Sequence, residues 1–281
     1  MEWEDIQGKR FPGYGRCIYC DSDGGSDGLR DEHIIPFSLG GNTVIEKASC
    51  LTCERLINPV DTHLARSVFG QHRIHAGVQT RNPKDRPAIL PANFTVRGEN
   101  VSLDLPIGDH PYAVALPVWG NAGFIRSVAI DTPFPEAFFH VYHWTPPNIR
   151  EKLNLALEED YHIWAAGQVD RSLFARGIAK IAYCHSITRF GLDGFRRLAM
   201  AELIVGKCSA VSYFVGGPLT TPPPKMATKV LHAVRFIDLT AKAGMLKLYV
   251  ASIRLFAHSG TEAHGMPIYH VIVGAPKLST H

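Results

Sequence analysis

Residues 17–54 read CIYCDSDGGSDGLRDEHIIPFSLGGNTVIEKASCLTCE, and two Cys-x-x-Cys pairs, Cys17/Cys20 and Cys50/Cys53, bracket everything between them. Four thiolates in two such pairs suit a tetrahedral zinc ion: each pair wraps one edge of the metal, and the intervening chain becomes a closed loop. The segment is glycine-rich and has few large apolar side chains, so it needs a staple, and structural zinc supplies about 10 to 16 kcal/mol at neutral pH. A redox role would call for the strand-to-helix setting of a thioredoxin-like motif, which neither pair has. Inside the loop lie Asp31, Glu32 and His33, followed by the Gly40-Gly41 turn.

The rest of the chain bounds what this loop can belong to. At 281 residues and 46% hydrophobic content, it has room for one large domain or two ordinary ones. The start, MEWEDIQGKRF, is charged rather than signal-like, and no apolar run of about 18 residues is present, so a cytoplasmic protein without a membrane partner is expected. Four metal-bound cysteines out of six fit that compartment, with Cys184 and Cys208 read as buried thiols. The net charge of +3 is too small to argue for nucleic acid, but its distribution is uneven. Arg55, Arg66, Arg73, Arg81, Lys84, Arg86 and Arg97, interleaved with His63, His72 and His75, are opposed only by Asp61 and Asp85. Such a stretch can follow a phosphate backbone, although a solvated helix face reads the same way.

Along the chain, a short strand is expected at Ile34-Ile35, then a helix that starts near the second cysteine pair and is limited or interrupted by Pro59, then a helical piece over Asp61 to Phe69. RNPKDRPAILP, residues 81–91, reads as a linker between a small module, residues 1–85, and a larger domain, residues 86–281. In the latter, strands are predicted over 94–97, 101–105, 112–119, 124–130 and 138–144, and helices over 145–164, 170–190 and 194–205. An extended connection over Gly216 to Lys225 precedes strands over 229–239, 245–256 and 267–273. The long helix should bury Leu173, Phe174, Ile178, Ile181 and Ile187 and expose Arg171, Lys180 and Arg189. Phe138, Phe139, Tyr142 and Trp144 read as a buried strand, with base stacking as the alternative. The fold class is α+β: a zinc-braced module followed by a larger α+β domain with antiparallel strands.

Taken as an ordered set, Cys17-x-x-Cys20, Glu32-His33-Ile34-Ile35-Pro36, Gly40-Gly41 and Cys50-x-x-Cys53 resemble the HNH endonucleases, in the branch whose ββα-metal motif is braced by a four-cysteine zinc. The likeness covers roughly the first quarter of the chain and implies metal-dependent hydrolysis of phosphodiester bonds in DNA, with RNA left open as a substrate. That chemistry needs a base to activate water and a cation to neutralise charge building on the phosphate. His33, with an ordinary pKa of about 6.5, suits the base. By the family pattern Glu32 becomes a ligand of Mg2+ or Mn2+, helped by Asp31. Glu54 closes the motif where the family places His or Asn, and with Glu32 it becomes a ligand of that ion. Asn58 and His63 are substitutes for Glu54, and Asn42 is the nearest stand-in for the motif's middle asparagine, with Lys47 near its usual place. Arg55, Arg66 and Arg73 become backbone contacts. The rival is a zinc-braced nucleic-acid-binding or interaction protein without catalysis. His140, His143, His162, His185, His232, His258, His264 and His270 read as structural, since none pairs with a carboxylate at ligand spacing.

Overall fold

The computed structural model describes every residue except 1, 6, 80–83, 85, 86, 135, 137, 157, 158, 164–167, 218, 242–245 and 278–281. The chain enters through two short strands, β1 (Glu4–Asp5) and β2 (Arg10–Phe11), ahead of the Cys17–Cys20 knuckle. The knuckle closes on itself: the Cys17 N–H donates to the Ser22 carbonyl at 2.7 Å, and the Asp21 N–H donates to that of Cys17 at 2.9 Å. β3 (Leu29–His33) and β4 (Val44–Cys50) pair antiparallel, with β2 parallel to β4 on its other side. The strand expected at Ile34-Ile35 lies instead over Leu29–His33, because Pro36 and a 3-10 turn over Phe37–Leu39 take the chain out of the sheet. Both glycines after that turn are required by close approach. Gly40 sits at φ 91° and a Cβ there would fall 2.6 Å from Leu231, while one on Gly41 would fall 1.9 Å from the Ile35 carbonyl oxygen.

β4 runs directly into α1 (Leu51–Thr62), with Cys50 extended at its N-cap. Pro59 neither limits nor interrupts this helix. It forfeits one backbone bond, and burial of Ile57, Val60 and Leu64 on either side holds the helix through it. The helix passes into a six-residue π-helical stretch, His63–Val68, and then α2 (Gly70–His75).

Next come β5 (Ile89–Val96), β6 (Glu99–Pro106), β7 (Tyr112–Val118), α3 (Gly123–Arg126), β8 (Phe138–Trp144), α4 (Ile149–Lys152) and β9 (Tyr161–Ile163). β6, β5 and β9 make a small sheet with its own satellite core around Phe94, Val96 and Ile149, and β7 pairs with β8. The strand expected over 124–130 is instead the single turn α3, ended by Ser127 at φ 56°. The helix expected over 145–164 shrinks to α4, since Asn154 at φ 53° turns the chain back toward β9. Leu157 and Trp164 of that helix, Arg81 and Arg86 of the basic run, and residues 81–83, 85 and 86 of the 81–91 linker lie outside the described residues. β8 is not a buried strand: it pairs only with β7 among the described residues, and Phe138 and Phe139 are 67% and 47% exposed.

α5 (Arg171–Phe190) is the long central helix, capped by Asp170, whose carboxylate accepts from the Ser172 and Leu173 N–H groups at 2.8 and 3.0 Å. After it come β10 (Phe195–Arg196), α6 (Met200–Ile204), α7 (Val211–Phe214), β11 (Val215–Gly216), β12 (Ala233–Ala241), β13 (Leu246–Arg254) and β14 (Tyr269–Pro276). The helix expected over 194–205 is only α6, because Phe195 and Arg196 pair with β14 instead. A six-stranded sheet, ordered β1-β12-β13-β14-β10 with β11 also on β14, backs one side of α5, and α1 lies against the helix elsewhere. The architecture is α+β. Buried residues from both parts of the chain, Cys17 and Ile34 as much as Ile178 and Val273, form one hydrophobic cluster. Lys180, expected on the outer face of α5, is 1% exposed. Among the described residues no helix is long and apolar enough to cross a membrane.

Candidate active site

The four cysteines come together. Their sulfurs all lie within 4.8 Å of one another, and those of Cys20 and Cys50 are 3.6 Å apart. Zinc with sulfurs at about 2.3 Å spaces a tetrahedron's corners about 3.8 Å apart, so the spacing fits. Burial and then Cys17 push the Cys53 thiol's pKa up, a cost that a divalent cation among the sulfurs reverses. Cys50 and Cys53 stand at the N-terminus of α1, where backbone N–H groups favour thiolates. A zinc ion here would hold the knuckle to the helix.

Beside this corner a cavity of about 430 Å³ opens between β3, the glycine turn and α1. His33 stands in its wall, with Nδ1 3.2 Å from the Gly41 carbonyl oxygen. That bond requires the proton on Nδ1 and makes Nε2 the basic nitrogen of the neutral ring. Phe37 meets the imidazole edge-on, centroids 5.7 Å apart. Glu54, Asn58 and Asp61, at i, i+4 and i+7 of α1, line the same cavity. Arg66, carried by the π-helical stretch, and Arg73, on α2, complete the wall, and Arg73 donates to the Ser38 carbonyl at 3.3 Å. Arg55 is exposed elsewhere on α1 and does not line the cavity.

The carboxylates are less available than the sequence suggests. A bulge between Arg30 and Glu32 turns Asp31 outward and Glu32 inward. Asp31 accepts from the Lys47 N–H at 3.1 Å and from Arg10 at 2.8 Å, bonds that lower its pKa. Glu54 pairs with Arg30 at 2.8 Å. Glu32, 6% exposed, is 2.8 Å from the Lys180 ammonium and accepts from the Ser49 hydroxyl. The same ammonium reaches both oxygens of Asp61, at 2.8 and 3.1 Å. Burial raises the pKa of Glu32, with Lys180 opposing. Burial also works against the charge on Lys180, but Asp61 and Glu32 more than offset it and hold that pKa above its ordinary value.

Of the ligands foreseen for Mg2+ or Mn2+, Asp31 and Glu54 carry exposed pairs with Arg10 and Arg30, whereas Glu32 is locked in a buried pair with Lys180, and with Glu32 so engaged this donor set does not fit a second, divalent ion as it stands. Of the proposed substitutes, Asn58 lines the cavity. His63 does not: its Nε2 accepts from the Asp170 N–H at 3.1 Å, at the start of α5. Asn42 is also elsewhere, accepting from the Gly8 N–H at 2.6 Å.

Asp61, Ser49 and Lys180 complete the pocket and were not read from the sequence. A signal existed for Lys180: it interrupts the apolar run GIAKIA, and a cation buried there requires an anion. It also starts a stripe along α5 that faces the four-cysteine module. Tyr183 donates to the Ile18 carbonyl, Cys184 lies 3.3 Å from the Tyr19 hydroxyl, and the Ile187 carbonyl accepts from Tyr14 at 3.0 Å.

Residues 17–69 match the family model described as HNH endonuclease. The match begins at the first cysteine of the cluster and ends just past the π-helical stretch, so it takes in β3, β4 and α1 and stops short of α5. At the family level this segment is of the nuclease type. No curated protein matches the chain, and no solved structure does.

Proposed function

We propose that this pocket hydrolyses phosphodiester bonds of DNA as an HNH-type endonuclease, with residues 1–85 carrying the chemistry and residues 86–281 holding the module in shape. The observation that carries the reading is His33: its Nδ1 is tied to the Gly41 carbonyl, which aims Nε2 as a base in a cavity walled by Arg66 and Arg73. Nε2 takes a proton from water while the water oxygen bonds to phosphorus. One P–O ester bond breaks, and the proton passes from the imidazolium to the leaving alkoxide. Arg66 and Arg73 face the phosphate oxygens, and the zinc keeps the knuckle and helix together without entering the reaction. Metal dependence, which the family resemblance implies, meets a wall in which each carboxylate is already paired.

Plasmid cleavage by the zinc-loaded protein and by His33→Ala tests this. Loss of a general base costs about 10²- to 10⁴-fold, so equal cleavage by the two proteins would sink the reading. Arg66→Ala should weaken DNA binding alike for all sequences and lower the salt slope by about one. The paired carboxylates favour a second reading, a zinc-braced nucleic-acid-binding protein without catalysis. DNA binding with no cleavage under any metal would select it.

A further inference from the structure

Two carboxylates from separate elements, Glu32 on β3 and Asp61 on α1, converge on one ammonium delivered by a third, α5. Two of the three donors of Lys180 go to Asp61 and one to Glu32. An ion bridging those same carboxylates would need the space and the oxygen lone pairs that Lys180 already uses. The lysine cannot withdraw into solvent, because it is 1% exposed and the next turn of α5 is pinned by Tyr183 on Ile18 and Cys184 on Tyr19. The charge balance around the pocket points the same way. Its four carboxylates, Asp31, Glu32, Glu54 and Asp61, together with Glu46, which shares Arg10, are matched by five cations, Lys180, Arg66 and Arg73 in the wall and Arg10 and Arg30 as ion-pair partners. The carboxylates are therefore balanced by the chain's own cations before any metal is added.

We propose that Lys180 is the resident cation of this pocket, standing where Glu32 and Asp61 would otherwise share a divalent ion, so that cleavage proceeds without added Mg2+ or Mn2+. The statement about cleavage rests on the nuclease reading; the statement about ion binding does not. Lys180 acts through the carboxylates it holds and through its charge, and so is a positioning residue rather than a group that touches substrate.

The test uses the full chain with zinc confirmed at one per protein, in buffer otherwise free of divalent ions. Mn2+ is titrated by calorimetry into the wild type, Lys180→Met, and the charge-balanced double variant Lys180→Met/Asp61→Asn. The wild type and the double variant should show no site beyond zinc. Lys180→Met, with two bare carboxylates, should gain one Mn2+ with affinity higher by about a hundredfold or more, the scale set by removing one charge a few ångströms away. Plasmid cleavage by the wild type should be the same with and without Mg2+. Mn2+ binding to the wild type as tight as to Lys180→Met would overturn the proposal, as would wild-type cleavage that stops in the divalent-free buffer and returns with Mg2+ while zinc is retained. If Lys180→Met fails to fold, the two wild-type measurements decide alone. If no condition gives cleavage, the nuclease reading fails and the Mn2+ comparison still decides the role of Lys180.

Discussion

The four cysteines and the four pocket carboxylates are two sets of anionic ligands gathered at one helix, for Cys53 and Glu54 are neighbours on α1 and serve different sites. They are completed in opposite ways. The sulfurs face one another, and the cation that would relieve their mutual repulsion must come from outside. The carboxylates have had their cations supplied by the chain: Lys180 for Glu32 and Asp61, Arg10 for Asp31, Arg30 for Glu54. A ligand set that waits for metal and one that has internalised its counter-charge look alike in sequence, and only the partners tell them apart.

The comparison is broken most violently by removing zinc. Cys53→Ser or metal stripping should forfeit much of the roughly 10 to 16 kcal/mol that a structural zinc supplies, seen as loss of cooperative melting in parallel with zinc release. An unchanged melt after zinc is gone would mean the corner is held by packing alone. Next in size, Lys180→Ala leaves Glu32 buried and uncompensated, and should cost about 3 to 5 kcal/mol in urea unfolding at neutral pH.

Protons offer a third probe, at a buried group completed without any charge. His232 bridges the two parts of the chain: its Nε2 donates to the Leu39 carbonyl at 2.8 Å, and its Nδ1 accepts from the Phe256 N–H at 3.2 Å. Burial pulls its pKa down to about 4. The unfolded chain takes up this proton near pH 6.5 and the folded one only near 4, so the contribution is full above the first value and is lost as pH falls toward the second. Unfolding free energy should therefore drop by about 3 kcal/mol on this account over that window, and His232→Gln should flatten the slope. The smallest effect belongs to Glu54→Gln, which opens a half-exposed surface pair with Arg30 and should change stability by less than about 1 kcal/mol. A far larger loss there, together with lost cleavage, would restore Glu54 as a ligand.

What could be read in advance follows from chain distance. The cysteine pairs, Glu32-His33 and the glycine turn sit within one stretch, and their spacing encodes the ββα unit that forms. Glu32, Glu54, Asn58, Arg66 and Arg73 do reach one pocket, but their partners could not be read: Lys180 is 148 residues beyond Glu32 and 119 beyond Asp61. Its surroundings gave a hint, because Ile178, Ala179, Ile181 and Ala182 are all buried, yet a helical pattern with arginines at both ends invited an outward lysine. Elsewhere local pattern lost to backbone geometry. Asn154 and Ser127, both at positive φ, ended elements whose apolar spacing would have carried them on, and the aromatic residues of β8 look like a core strand but sit at an edge.

The stripe Lys180-Tyr183-Cys184-Ile187 and the His232 bridge also set a clock. On a chain growing from its N-terminus, every residue of the family motif is made by Glu54, but the helix that braces the pocket arrives much later, and the bridge to Leu39 later still. At about 5 to 20 residues per second, synthesis from residue 54 to residue 232 takes about 9 to 36 s. Through that interval the ribosome would display cysteines, His33 and glycines without their support, so a pocket of this build comes into being only once the remote half of the polypeptide has been translated.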